Sequence, residues 1–184
     1  MNRKLNLYLC GEKNGELNED DLLQLTFQYD NNAIPLSVRL PPRDESYPHM
    51  LAYPFFENLS PEGEAFEILT KDHESGNKVF SILDRFGGDC AGAVAFYETA
   101  PNNEEKPQEI SSAEIAKIIE RLPQDPLLSG IDNPPRLSLA GAQSKFAVYK
   151  SNGKYYRSGD GFPTTHIIKI ANKNFPNLIE NELF

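Results

Sequence analysis

Apolar side chains alternate with polar or half-polar ones over residues 5–10, where Leu5, Leu7 and Leu9 share one parity. A period of two predicts a strand with one face in a core. Residues 11–15 interrupt the alternation, and Asn14-Gly15 is the pair that favours a tight hairpin turn. Alternation resumes over residues 25–29. A further strand is expected over residues 36–40, ended by Pro41-Pro42, because proline cannot donate to a sheet ladder. The opening quarter of the chain reads as a small β-sheet.

The period then lengthens to that of a helix. Ser60-Pro61, followed by Glu62 and Glu64, has the make-up of a helix start: a capping hydroxyl, a proline at the first position, and carboxylates against the positive end of the dipole. Ala65, Ile68 and Leu69 supply its apolar stripe. A second short helix is expected over residues 78–86, closed by Gly87-Gly88, and residues 93–97 return to strand. Phe55 and Phe56 read as core, since large aromatics seldom mark a site by themselves. Residues 99–108 are polar, proline-flanked and aperiodic, which makes them the best linker in the chain. They separate an expected first subdomain, residues 1–100, from a second, residues 101–184.

Beyond the linker, Ser111 and Glu114 form a capping box, with Ile115, Ile118, Ile119 and Leu122 on one helix face. Four prolines (Pro123, Pro126, Pro134, Pro135) make the next connection irregular. Strands are expected over residues 145–150, 154–158 and 165–170, the first two joined by Ser151-Asn152-Gly153. Residues 176–184 look like the first turns of another helix. The fold class is α+β.

Composition sharpens this picture. The chain is 39% hydrophobic, with eleven Phe and eight Tyr as core material in place of Trp, which describes a folded chain. No apolar run approaches the roughly 18 residues that span a bilayer, and the start lacks the pattern of a signal peptide. A cytosolic protein with no membrane partner is expected. Cys10 and Cys90 then read as reduced, mostly buried thiols. His49, His73 and His166 are scattered and have no partners at ligand spacing, which argues against a metal site. The net charge of −9 argues against nucleic-acid binding by the whole surface. Its distribution is uneven. Residues 136–175 hold seven basic residues (Arg136, Lys145, Lys150, Lys154, Arg157, Lys169, Lys173) against the single acid Asp160. Such a segment fits a local anion site and also fits a solvated hairpin face.

The order of features in this second half narrows the choice. A loop of small residues, Ser138-Leu139-Ala140-Gly141-Ala142-Gln143, precedes a strand, a turn and another strand. A third strand then ends in Lys169, and carboxylates follow where a helix begins. Small residues let backbone N–H groups approach phosphate oxygens. A lysine on an interior strand adds a fixed positive charge, and a glutamate on the next helix holds that lysine in place. Glu180 and Glu182 are two apart, so one of them faces the strand, and Glu182 is the better placed. This is the plan of a kinase N-lobe, although each part is weak alone. The loop has one glycine and matches neither common phosphate-loop pattern. Lys169 is equally compatible with an ordinary surface lysine.

Five strings resemble the HipA family of bacterial serine/threonine kinase toxins. Leu137-Ser138-Leu139-Ala140-Gly141-Ala142-Gln143-Ser144-Lys145 is similar to that family's phosphate loop, and Pro163-Thr164-Thr165-His166-Ile167-Ile168-Lys169 to its lysine strand. Glu180-Asn181-Glu182 resembles the opening of the helix that follows. Residues 55–63 and 87–94 resemble two further stretches in the acidic half. The resemblance implies that Ala140, Gly141, Ala142, Gln143, Ser144 and Lys145 wrap the phosphates of ATP, that Lys169 contacts them, and that Glu182 pairs with Lys169. It implies that Ser138 is autophosphorylated, which expels the loop and blocks nucleotide binding. Ser138 also fits a plain turn serine. Ser144 departs from the pattern, which commonly has Glu there.

The catalytic base and the carboxylates for Mg²⁺ that phosphoryl transfer requires are not found in this sequence. Asp84-Arg85-Phe86-Gly87 is a chance near-match in helix context. The resemblance thus implies a parent kinase using ATP and Mg²⁺, and a chain inactive by itself. It also implies a HipB-like antitoxin as partner, DNA contact only through that antitoxin, and a protein substrate such as glutamyl-tRNA synthetase. The alternative is a stand-alone binding module that docks to an antitoxin or to a separate kinase subunit. Such a module is expected to end near the linker, so the longer chain favours a cut kinase.

Overall fold

The structure is a computed structural model that describes residues 2–62, 64–71, 76–101, 107–125, 145–157 and 164–170. They fall into two compact units, before and after the segment around residue 102. Together the units carry two four-stranded sheets and four helices among the described residues, an α+β fold as expected.

The first unit is built on β1 (Arg3–Leu9), β2 (Glu12–Glu19), β3 (Leu25–Tyr29) and β4 (Val94–Tyr97), in the antiparallel order β3-β2-β1-β4. Its helices are α1 (His49–Glu57), α2 (Glu64–Thr70) and α3 (Lys78–Phe86). Leu5, Leu7, Leu17, Leu25, Phe27 and Phe96 bury one face of the sheet, and Phe56, Phe80, Ile82 and Leu83 come from the helices. The aromatic rings meet edge to face: Phe56 lies 5.3 Å from Phe27 and 5.9 Å from Phe96. Phe55 is half-buried against Phe56.

Three expectations about the path of the chain in this unit are corrected. The hairpin between β1 and β2 turns at Cys10-Gly11, whose φ angles of 52° and 86° suit a two-residue turn, and not at Asn14-Gly15. Asn14 is the extra residue of a bulge, because the register steps from Leu7↔Gly15 to Tyr8↔Lys13. Gly15 is required for close packing: a Cβ there would lie 2.5 Å from the Gln28 carbonyl and 2.8 Å from the Phe27 ring. Residues 36–40 form no strand. The Tyr29 hydroxyl accepts from the Leu36 N–H and donates to the Leu40 carbonyl, so one side chain takes backbone groups that a neighbouring strand would have bonded. Finally, Ser60-Pro61 is not a helix start. The Ser60 N–H donates to the Glu57 carbonyl in the turn that closes α1, and α2 begins at Glu64. Leu69 is buried, whereas the Ala65 and Ile68 side chains lie outside the described residues.

Helix α3 has the expected bounds, with the Asn77 side chain accepting from the Val79 and Phe80 N–H groups at its start. Asp84, Arg85 and Phe86 form its last turn, and Gly87 caps it. Gly87 is there for space rather than for a left-handed cap, because its φ is −73° and a Cβ would collide with the Leu83 carbonyl. Cys90 is buried, but Cys10 is exposed at the hairpin tip, which corrects the expectation of mostly buried thiols. Both are free thiols.

The second unit has β5 (Gln108–Ile110), β6 (Lys145–Ser151), β7 (Lys154–Arg157) and β8 (His166–Lys169), in the order β5-β7-β6-β8, with α4 (Ser112–Arg121) beside them. The capping box forms as read: the Ser111 hydroxyl accepts from the Glu114 N–H, and the Glu114 carboxylate accepts from the Ser111 N–H. Ile118 and Leu122 join Ile110, Phe146, Val148 and Ile170 in the core, with Ile115 against it. Ile119 is 38% exposed, so it does not belong to that face as expected. The turn between β6 and β7 is Asn152-Gly153, both at positive φ. Among the described residues no helix is long and apolar enough to cross a membrane.

Candidate functional site

Side chains on a strand alternate between the two faces of its sheet. Phe146 and Val148 of β6 and Ile168 of β8 turn toward the core with α4. Lys145, Ala147 and Tyr149 therefore lie on the opposite face, as do Ile167 and Lys169. The antiparallel register joins the two strands as Lys145↔Lys169, Phe146↔Ile168, Ala147↔Ile167 and Val148↔His166. Two lysines from distant parts of the chain are thus direct cross-strand neighbours, at the end of β6 that the small-residue loop leads into. Lys145 is half-buried, whereas Lys169 is exposed on β8, which among the described residues is the edge strand of the sheet and not the interior strand expected. Side chains so paired have Cβ atoms roughly 4.5–5.5 Å apart, and like charges in that position repel.

An apolar step adjoins the lysines on the same face. Ala147 is buried, and its partner Ile167 is 55% exposed. Farther along, the Tyr149 and Tyr156 rings lie 5.9 Å apart. Ala147 carries no signal of its own in the sequence, and Ile167 stands out there only as part of the lysine strand. Their neighbourhood follows from the register of two strands separated by a hairpin, and no local signal carries it.

The strand ends are fastened by polar side chains. The Lys150 N–H donates to the Thr165 hydroxyl at 2.9 Å, and the Thr165 N–H to the Val148 carbonyl at 3.0 Å, which sets the start of β8. Arg157, at the end of β7, donates to Glu114 at 3.1 Å. Glu114 is held down to a pKa of about 2, first by the Ser111 backbone N–H, then by the Ser111 hydroxyl and by Arg157. Lys154 donates to Glu109 at 2.8 Å, which raises the Lys154 pKa.

Of the residues expected to form a nucleotide site, the structure brings together Lys145 and Lys169. Ser138, Ala140, Gly141, Ala142, Gln143, Ser144, Glu180 and Glu182 lie outside the described residues, as does the expected helix over residues 176–184. Among the described residues no three or more His, Cys, Asp or Glu side chains group where an ion would sit.

The comparisons with known proteins agree on one family. The model of the HipA N-terminal domain matches residues 5–97. A candidate kinase of Sinorhizobium fredii, Y4mE, is 36% identical over 197 aligned positions, covering 99% of this chain and 46% of its own length. The serine/threonine-protein kinase toxin HipA of Shewanella oneidensis is 28% identical over 163 positions, covering 85% of this chain and 36% of its own length. Among solved structures, the Shewanella oneidensis HipA–HipB–operator DNA complex contains a chain that superposes with a TM-score of 0.66. It is 27% identical, over 90% of this chain and 40% of that one. The chain spans less than half the length of the relatives it matches. By the family model over half its length, and by the fold it shares with a solved relative, this chain belongs to the HipA family.

Proposed function

We propose that this chain is the amino-terminal part of a HipA-type serine/threonine kinase toxin, and that Lys145 and Lys169 hold the triphosphate of ATP. The observation that supports the reading is the register of β6 and β8, which makes Lys145 and Lys169 cross-strand neighbours on the sheet face away from the core. Paired cations suit a polyanion, and the apolar Ala147–Ile167 step beside them suits a flat base. Ala140 to Ser144 complete the phosphate cradle with backbone N–H groups, and Glu182 orients Lys169. Ser138 is the autophosphorylation site that switches nucleotide binding off.

The chemistry that this chain supplies is binding and charge neutralisation. We place the catalytic base and the Mg²⁺ ligands in the part of the relatives that this chain does not span, so the chain alone transfers no phosphate. The partner of the whole protein is a HipB-like antitoxin, through which DNA is reached. The substrate is a translation protein of the glutamyl-tRNA synthetase kind, and the setting is the cytoplasm. Support for the partner comes from the related HipA, which was solved together with HipB and operator DNA.

The test is calorimetric titration of the full-length protein with a non-hydrolysable ATP analogue. Lys169→Met and Lys145→Met should each weaken binding at least tenfold, for a loss of about 1.4 kcal/mol or more. Analogue binding that neither substitution alters would end the reading of the pair as a phosphate clamp. Incubation with ATP followed by mass spectrometry should find phosphate on Ser138. A bare Ser138 with another residue modified would count against the assignment.

A further inference from the structure

Strand β8 is four residues long and carries apolar side chains on both faces. Ile168 and the following Ile170 pack with the second core, whereas Ile167 is 55% exposed. Burial fixes which face of such a strand turns inward, because a slip of one residue would drive Lys169 into the core. Burial does not exclude a slide of two residues. That slide puts Ile170 opposite Phe146 and Ile168 opposite Val148, so the inward face stays apolar. It also puts Lys169 opposite Ala147, roughly 7 Å along the strand from its observed partner Lys145. The repulsion between the two lysines favours the slide, since it parts them.

The contact that holds the observed register lies at Thr165. The last backbone pair of the ladder is Val148↔His166. Just past it, the Thr165 N–H donates to the Val148 carbonyl at 3.0 Å, and the Thr165 hydroxyl accepts from the Lys150 N–H at 2.9 Å. A side-chain oxygen thus stands in for a backbone carbonyl where β8 has ended. The same oxygen lies 2.9 Å from His166 Nδ1, so the hydroxyl is held from two sides. In the register slid by two, Lys150 would stand opposite His166 and its N–H would face that residue's carbonyl. The hydroxyl contact therefore belongs to the observed register alone.

We propose that Thr165 is a positioning residue of the anion site, whose hydroxyl pins β8 in the register that sets Lys169 across from Lys145. The inference rests on the reading of these lysines as a phosphate clamp. While no anion is bound, their mutual repulsion makes a lock necessary. Threonine supplies it without a charge of its own, and from the opposite end of β8, where it does not compete for the anion.

Disulfide trapping in the full-length protein reads the register, with Cys10→Ser to remove the exposed native thiol. The Val148 carbonyl and the Lys150 N–H face β8, so Ala147 and Ile167 are a non-hydrogen-bonded pair, the kind whose side chains come closest. Ala147→Cys with Ile167→Cys reports the observed register, and Ala147→Cys with Lys169→Cys the slid one. Thr165 is exposed, and Thr165→Val keeps its shape while removing the hydroxyl. Adding Thr165→Val should lower the first cross-link and raise the second, and Thr165→Ser in its place should restore the first. In calorimetric titration with a non-hydrolysable ATP analogue, Thr165→Val alone should weaken binding about fivefold, the net scale of one hydrogen bond, and Thr165→Ser should stay within about twofold of wild type. Cross-linking that Thr165→Val leaves unchanged overturns the pin and leaves the clamp to its own test with Lys145→Met and Lys169→Met. A changed register with analogue binding unaltered overturns the positioning role, while the two lysine variants still decide the clamp. No binding by the wild type overturns both.

Discussion

The two units of the chain solve different problems with different materials. The first, before residue 102, stacks aromatic rings: Phe27, Phe56 and Phe96 are buried and touch edge to face, with Tyr29 and Tyr47 beside them. It also holds the whole excess of acid, since acids and bases balance in the remainder. Among its described residues the second packs one helix over one sheet around six buried side chains, five of them aliphatic. It leaves the other face of that sheet to Lys145, Lys169 and tyrosines. Deep aromatic packing makes a rigid scaffold. A sheet face that carries Lys145 and Lys169 suits the anion binding proposed above.

This contrast can be broken in order of expected effect. Phe56→Ala should cost the first unit ~3–5 kcal/mol, because a fully buried aromatic leaves a cavity among rings that cannot close over it. Urea unfolding followed by near-ultraviolet circular dichroism measures it, and a loss below ~1 kcal/mol would mean the ring stack is not the keystone. Ile118→Ala should cost the second unit ~2–4 kcal/mol in the same experiment. Next comes Gly15→Ala, expected to cost ~1–3 kcal/mol because the new methyl meets the Gln28 carbonyl and the Phe27 ring. Ser111→Ala removes the α4 cap and should cost ~1 kcal/mol, leaving the first unit untouched.

The smallest effect is one of pH. Glu114 has a folded pKa of about 2, below its usual value of 4.5, because the charged form is hydrogen-bonded. A depressed carboxylate pKa means that the unfolded chain binds protons first as pH falls. Its contribution is therefore complete above about pH 5 and fades as pH falls toward 2. Glu114→Gln should flatten that part of the stability profile of α4. Helix melting at pH 5, 3.5 and 2.5 with equal slopes in both proteins would show that the box is already open.

Local rules made much of the fold legible. The Ser111–Glu114 box, the start and end of α3 and the Asn152-Gly153 turn each depend on groups within four residues of one another. Legibility failed where a distant group replaced the expected partner. Residues 36–40 have the composition of a strand, but the Tyr29 hydroxyl claims their backbone. Helix α1 gave no cap signal: Pro48 stands at its start without a side-chain bond, and Pro54 sits inside it. It holds because Ala52 and Phe56 are buried and because the His49 ring accepts from the Leu25 N–H at 2.9 Å. At the candidate site, Lys145 and Lys169 were legible as residue types and their adjacency was not.

By itself the sequence determined the elements whose signals are local, the uneven charge, and the small-residue loop and lysine strand that resemble one kinase family. Only the tertiary structure decided that Lys145 stands across from Lys169, that Asn14 is a bulge residue, and that the Thr165 hydroxyl takes the Lys150 N–H. The physical reason is range. Caps and turns close over a few bonds of chain, whereas register and loop bracing are chosen by burial and hydrogen bonding between segments that the chain itself does not bring together.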